Sequence, residues 1–433
     1  MPTRPLLRKA YWVFLALLAT NSGAFSQEAP DQSDELRQLW ASTIEPNLRA
    51  KVQSTDQAET IGATMMVPLH VAFHRRDDAW MHNFATQFAQ FASTPSALPS
   101  GEAAEISRLY YLYLASQFVV LAKESGHQDL IPPNLPGLLF SEIDTYWRVT
   151  PAWQWGRAPF PGGGRERLLW KLKNRKTQKS YYRAVLDHDL YIFAMAADLK
   201  KYANGTPQQK AWEAVLDDVL TIAHHVFTQE VAWQPGGGWV LQPGVWTDHP
   251  EYQYAGNKDI HPGLGPSPVP GIATDSSHSL RFPLWLTSLM GAYSTGSEDY
   301  RFYQNLRSGL EKQFYDKVLV KPTPERPCFL ITNFMDGSNG VYRWGYQSLG
   351  KDSGYGPYEV SGSFLLGWWA FLDTDRMRNV YREAAAEFPW PKECLVLYLG
   401  PSPGPNPHPD ISSESAQARI RMYHTTVLLA TQL

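Results

Sequence analysis

Only two cysteines occur in 433 residues, and neither has histidine partners at zinc-ligand spacing. A four-ligand structural zinc is thereby excluded, and Cys328 and Cys394 either pair in an oxidising compartment or remain two thiols. A surplus of one charge sign is missing too, since 39 Lys and Arg stand against 42 Asp and Glu, a net of −3. A nucleic-acid partner normally needs a basic excess to displace counterions, so that class drops out. After the N-terminus no uncharged stretch reaches the roughly 20 residues of a spanning helix, which argues against a membrane span. No repeat marks a solenoid family, and no cofactor or metal motif is found.

What is present is apolar and aromatic. Hydrophobic residues make up 43%, with 16 Trp, 22 Tyr and 19 Phe, enough to offset the entropy of ordering a large fold. Residues 1–26 read as a secretory signal peptide. Arg4, Arg8 and Lys9 precede the apolar run from Ala10 to Ala19, and Ala24-Phe25-Ser26 offers the cleavage site. Its removal takes away those three cations, leaves a net of −6, and predicts a soluble secreted or periplasmic product. Residues 27–433 read as one domain of helices in series. Trp80, Phe84, Phe88 and Phe91 form one apolar stripe, and further helices are predicted near 34–48, 57–72, 102–123, 178–202, 207–231, 277–294, 298–318, 357–372, 374–387 and 412–431. Thr206, Ser297 and Asp373 are expected caps. Short connections imply antiparallel hairpins, so the predicted fold class is all-α, an (α/α)6-7 toroid or incomplete barrel. Long irregular stretches at 148–176, 232–276 and 320–356 concentrate Trp and glycine, as a folded cleft lining would. Within the last, 328–346 is predicted to be a small β-hairpin that puts Tyr342, Trp344 and Tyr346 on one face and Arg343 on the other.

Two segments carry chemistry. Thr274 to Pro283 closes a Gly/Pro-rich loop and opens a helix, with His278 in the first turn. The helix dipole and Arg281 at i+3 are expected to hold His278 neutral and able to accept a proton. Arg281 itself is a candidate carboxylate clamp. The second segment, Tyr342 to Tyr346 with its glycine-rich exit through Tyr355 to Glu359, brings phenols close to the backbone. Asp187, in Asp187-His188-Asp189, is expected to enter a cavity from a long helix, and the bland alternatives are capping and packing.

On these residues the chain resembles secreted (α/α)-toroid polysaccharide lyases of the alginate and glucuronan lyase type. The likeness is architectural over about 350 residues, with local support from His278 and Tyr342–Tyr346. Ser277-His278 stands where some members carry Asn-His, and the 64 residues from His278 to Tyr342 exceed the usual interval. The resemblance implies β-elimination on a uronic-acid glycan, with no cofactor and no metal. His278 with Tyr342 or Tyr346 would be the base–acid pair, and Arg281, Asn333 or Arg343 would neutralise the carboxylate. Trp153, Trp155, Asp187, Trp344 and Tyr355 would bind sugar.

Three alternatives remain open at this point. An inverting glycoside hydrolase would draw two carboxyls from Asp275, Asp336 and Glu359. A non-catalytic glycan-binding protein would need the aromatic loops alone, and an epimerase would share the proton abstraction.

Overall fold

In the computed structural model the described residues are 30–101, 105–151, 162–346, 349–402 and 408–433. Segment 1–26, Trp153 and Trp155 lie outside them. Side-chain caps set many helix starts. Ser54, Asp77, Ser297 and Ser413 each accept a hydrogen bond from the backbone N–H three residues on, opening helices Thr55–Thr64, Asp78–Ser93, Glu298–Gln313 and Glu414–Ala430. The Trp80–Phe91 stripe is buried throughout, and Trp80 stacks on Trp40 with ring centroids 4.0 Å apart. Burying each ring completely is worth about 1.5–3 kcal/mol, which is how an amphipathic pattern becomes a packed helix.

The fold is mostly helical, at 61% helix and 4% strand, with two small antiparallel sheets. Helix Glu105–Glu124 lies between Thr55–Thr64 and Asp187–Ala203, and the latter also packs on Gln209–Glu230 and Phe282–Gly291. Phe282–Gly291 in turn packs on Glu298–Gln313, while Glu414–Ala430 reaches back to Met66–His74. Among the described residues no helix is long and apolar enough to cross a membrane. Cys328 and Cys394 are joined as a disulfide.

Several boundaries differ from expectation, each for a local reason. The predicted 277–294 helix is two, Ser276–Ser279 and Phe282–Gly291, because Pro283 has no N–H to give the preceding turn. The predicted 178–202 helix begins only at Asp187, after a 3-10 turn at Ser180–Arg183. Asp187 is thus in a first turn and not mid-helix. Residues 357–372 form two 3-10 segments separated by Gly367 at φ 83°. Thr374, not Asp373, caps the next helix, and Gln208 takes the place expected of Thr206. Helix Gly164–Lys173 lies in a stretch read as irregular, and Leu135–Arg148 and Lys392–Leu399 lie where no helix is predicted.

The hairpin 328–346 does not form. Leu330–Ile331 pairs with Leu319–Val320, and Tyr342 bridges to Tyr355. Positive φ at Arg343 (55°) and Gly345 (65°) turns the chain at once, which abolishes strand alternation there. The other hairpin, Val231–Trp233 with Trp239–Leu241, falls at the end of a predicted helix and the start of a predicted loop.

Candidate active site

Four segments supply the polar wall of a cleft of about 270 Å3: the first turn Asp187–His188, the loop around Trp246 to Tyr252, the Thr274–His278 turn, and Tyr342 with Arg343, while Ile106, Leu241 and Phe282 add apolar lining. The Thr274–His278 turn is held from behind. Ser276 N–H donates to Asn333 O at 2.9 Å and Met335 N–H to Thr274 O at 3.0 Å. Asp275 then caps the short helix, accepting from His278 N–H at 3.0 Å. The same carboxylate faces the His278 ring, with Nδ1 2.8 Å from Oδ1 and 2.9 Å from Oδ2. Tyr252 donates its phenol to Asp275 Oδ2 at 2.8 Å. Tyr342 OH lies 3.1 Å from Glu251 Oε2 and 3.2 Å from Asp275 Oδ2, so its one hydrogen serves either carboxylate in turn. Arg343 donates Nε–H to Glu251 Oε2 at 2.8 Å, and its guanidinium lies between the rings of Tyr342 and Tyr346 at 5.2 and 4.7 Å.

These contacts fix charge. Burial alone would lower the His278 imidazolium, but the Asp275 charge and hydrogen bond outweigh it and push the group up to about 9. Asp275 moves the other way. Burial raises it, and the neighbouring His278, Ser277 and Arg343 hold it well below the ordinary carboxylate range. At neutral pH the pair is therefore imidazolium and carboxylate. The expected neutral His278 is corrected, because a buried anion at contact distance outweighs a one-turn helix dipole. With Nδ1 committed to Asp275, Nε2 is the nitrogen left for the cleft, where His278 keeps 27% side-chain exposure. Burial raises the Tyr342 phenol well above its usual range, and burial foremost raises Asp187 to about 6. His188 and His249 are the reverse case, lowered chiefly by burial and thus neutral at pH 7, His188 to about 4.

The structure brings together His278, Tyr342, Tyr346, Arg343 and Asp187 at this cleft. Arg343, placed on the opposite face by strand alternation, joins them because its φ is positive. Other candidates stand elsewhere. Arg281 is buried beneath the wall, ion-paired to Asp187, with its guanidinium 4.4 Å from the centre of the Tyr110 ring and 5.8 Å from that of Trp285. Asn333 is buried and donates to Gly340 O and Gly356 O at 2.8 Å each, stapling two loops. Neither lines the cleft. Trp344 packs against Tyr254, and Tyr355 packs behind Tyr342. Of the hydrolase carboxyls only Asp275 is at the cleft. Asp336 accepts from Ala273 and Ser338 N–H within a turn, and Glu359 accepts from Gly356 N–H beside His408.

Trp246, from the Trp-rich stretch expected to line a cleft, does so, and Glu251, His249 and Tyr252 line it too without having been expected there. They occupy an irregular loop with no periodicity, and the one available signal was the density of Trp, His, Glu and Tyr between residues 246 and 254. Among the described residues no group of three His, Cys, Asp or Glu side chains is arranged to hold a metal ion. No protein-family model matches the chain, and no curated protein matches it significantly.

Proposed function

We propose that the protein is a polysaccharide lyase that cleaves a uronic-acid glycan by β-elimination. The observation that carries this reading is the meeting of an imidazolium, a carboxylate-backed phenol and a guanidinium in one cleft. The elimination needs a base for the proton beside the uronate carboxylate, an acid for the departing sugar oxygen, and donors for the charge that develops between them. Within the cleft Asp275 is paired with His278 and Glu251 with Arg343, and Asp187 is paired with Arg281 from behind the wall. A uronate is therefore held by directed hydrogen bonds and not by surplus positive charge.

The charge states assign the roles, and they reverse the sequence-based expectation. His278 carries the proton, so its Nε2–H is the acid that protonates the leaving oxygen. Tyr342 takes the substrate proton on its oxygen while its own hydrogen passes to Glu251 or Asp275, which it already contacts. Arg343 neutralises the carboxylate. After release, Tyr342 and its carboxylate return one proton to solvent and His278 regains one, so the cycle closes. The succession of packed helices from Thr55–Thr64 through Glu105–Glu124, Asp187–Ala203 and Phe282–Gly291, with Glu414–Ala430 returning to Met66–His74, is consistent with an (α/α) toroid bearing this cleft at one end.

A glycoside hydrolase is the second reading, and Asp187 favours it. A cleft carboxyl raised to about 6, with Glu251 and Asp275 lining the same cleft, has the form of an acid paired with a carboxylate. Incubation with alginate, glucuronan and neutral glucans separates the two. The lyase yields an unsaturated sugar with a new ultraviolet absorbance, whereas hydrolysis yields reducing ends without it. Reducing ends alone would overturn the lyase.

A further inference from the structure

The cleft is small for a polymer. Its volume of about 270 Å3 falls just below the roughly 300–1,000 Å3 typical of small-ligand sites. A second and larger hollow, of about 870 Å3, lies between the helix Thr55–Thr64 and the C-terminal helix Glu414–Ala430. Its lining combines apolar surface from Pro46, Ala63 and Met422 with hydroxyls at Thr60 and Thr64, one amide at Asn47 and the ring of Tyr423. Arg419 and Arg421 stand on the C-terminal helix, and Asp56 and Glu59 on the N-terminal one. Walls of opposite sign suit a ligand that carries carboxylates and hydroxyls together.

Two chains of contacts join this hollow to the cleft. On one side Tyr342 pairs with Tyr355 through both backbone groups, and their rings pack at 6.1 Å. A Cβ at Gly400 would stand 3.3 Å from the Tyr355 ring, and Arg419 donates to the adjoining Leu399 O at 2.6 Å. Tyr355 therefore lies between the two sites. Burial is the main influence on its phenol, and the cations acting on it are Arg343 of the cleft and Arg419 of the hollow. On the other side Ser107, next to the cleft residue Ile106, donates to Glu59 at 3.1 Å.

We propose that the hollow holds the sugar units of an acidic glycan that lie beyond the reacting ones, with uronate carboxylates on Arg419 and Arg421 and hydroxyls on Asp56 and Glu59. This rests on the lyase reading and extends it to a multi-subsite enzyme acting on long chains. Arg421 is exposed and Thr60 sits on an exposed helical position, so neither substitution disturbs the core.

The test uses Tyr342→Phe as a background that blocks turnover, and calorimetry with oligouronates from dimers to about octamers. Affinity is expected to rise about tenfold or more with length, as added subsites engage. Arg421→Glu and Thr60→Trp should each abolish that gain while leaving the dimer within about twofold, with melting temperature as the control for folding. A length gain that survives both variants would overturn the hollow as a subsite and leave the lyase reading standing. Loss of affinity equally for dimer and octamer would do the same. If no oligouronate binds even with the hollow intact, the lyase reading falls and takes this proposal with it.

Discussion

Replacing Asp275 with Asn removes the anion that keeps His278 protonated. The side chain keeps its size, and its one oxygen can keep the cap from His278 N–H at the loss of the acceptor for Tyr252, so the turn should persist. What changes is the imidazolium, which loses its counter-ion while its burial remains. It should fall from about 9 to no higher than the ordinary 6.5, worth at least about 3.4 kcal/mol of differential stabilisation. If His278 is the acid, only its protonated fraction is active. At pH 8 that fraction is about 0.9 in the parent and at most about 0.03 in the variant, a loss of at least roughly thirtyfold from this cause alone. At pH 5 the parent is essentially fully protonated and the variant is closer to it than at pH 8, so the gap between their rates should narrow as pH falls. The assay is the initial rate of unsaturated product across pH 5 to 10. An activity-independent partner is the imidazole NMR titration of His278, assigned by its loss in His278→Gln. The same linkage bears on stability. Because the folded value lies above the unfolded one, the His278 contribution is complete below about 6.5 and lost as pH rises through about 9. Asp275 is depressed, so its share is present above about 3.8 and lost as pH falls. A parent titration near 6.5, or a variant-to-parent ratio constant from pH 5 to 9, would refute the assignment.

Tyr342→Phe deletes the one phenol that touches both Glu251 and Asp275, and kcat should fall about 10²- to 10⁴-fold with the fold intact by circular dichroism. Retention of more than a tenth of the rate would remove Tyr342 from the chemistry. Arg281→Met should cost about 3 kcal/mol in urea unfolding, at the low end for a broken buried pair because Asp187 keeps 26% exposure. The double variant with Asp187→Asn should recover part of that loss, and no recovery would show that Arg281 acts through its ring contacts alone. Cys328→Ser with Cys394→Ser opens a link across 66 residues and should cost about 4 kcal/mol by loop entropy. An unchanged denaturation midpoint would contradict it.

Periodicity made the helices legible wherever burial followed one face, as in Trp80 to Phe91. It failed where a proline or a positive φ overrides the pattern. Pro283 splits a helix that its apolar neighbours would continue, and Arg343 at φ 55° turns a strand that alternating tyrosines seemed to extend. The second failure matters most, because it had set Arg343 apart from the site it joins. Residue type alone pointed to His278, Tyr342 and Asp187, which line the cleft. It found Glu251 and His249 not at all, since an irregular loop has no register from which to infer direction. The charge of His278 was read wrongly for a related reason. Asp275 was visible three residues away as a helix cap, but only the folded turn shows the cap and the ring sharing one carboxylate.

Asp275 takes hydrogen bonds from partners 23 residues before it and 67 after it. No local fragment can supply that arrangement, because Tyr252 and Tyr342 arrive only after long stretches of chain have closed. Helices can form early from nearby contacts, whereas the acid–base pairs of the cleft wait for distant segments to meet. On refolding, recovery of activity should therefore lag recovery of helical signal. If the cleft is catalytic as proposed, turnover would report completion of the whole fold, and a largely helical chain could still be inert.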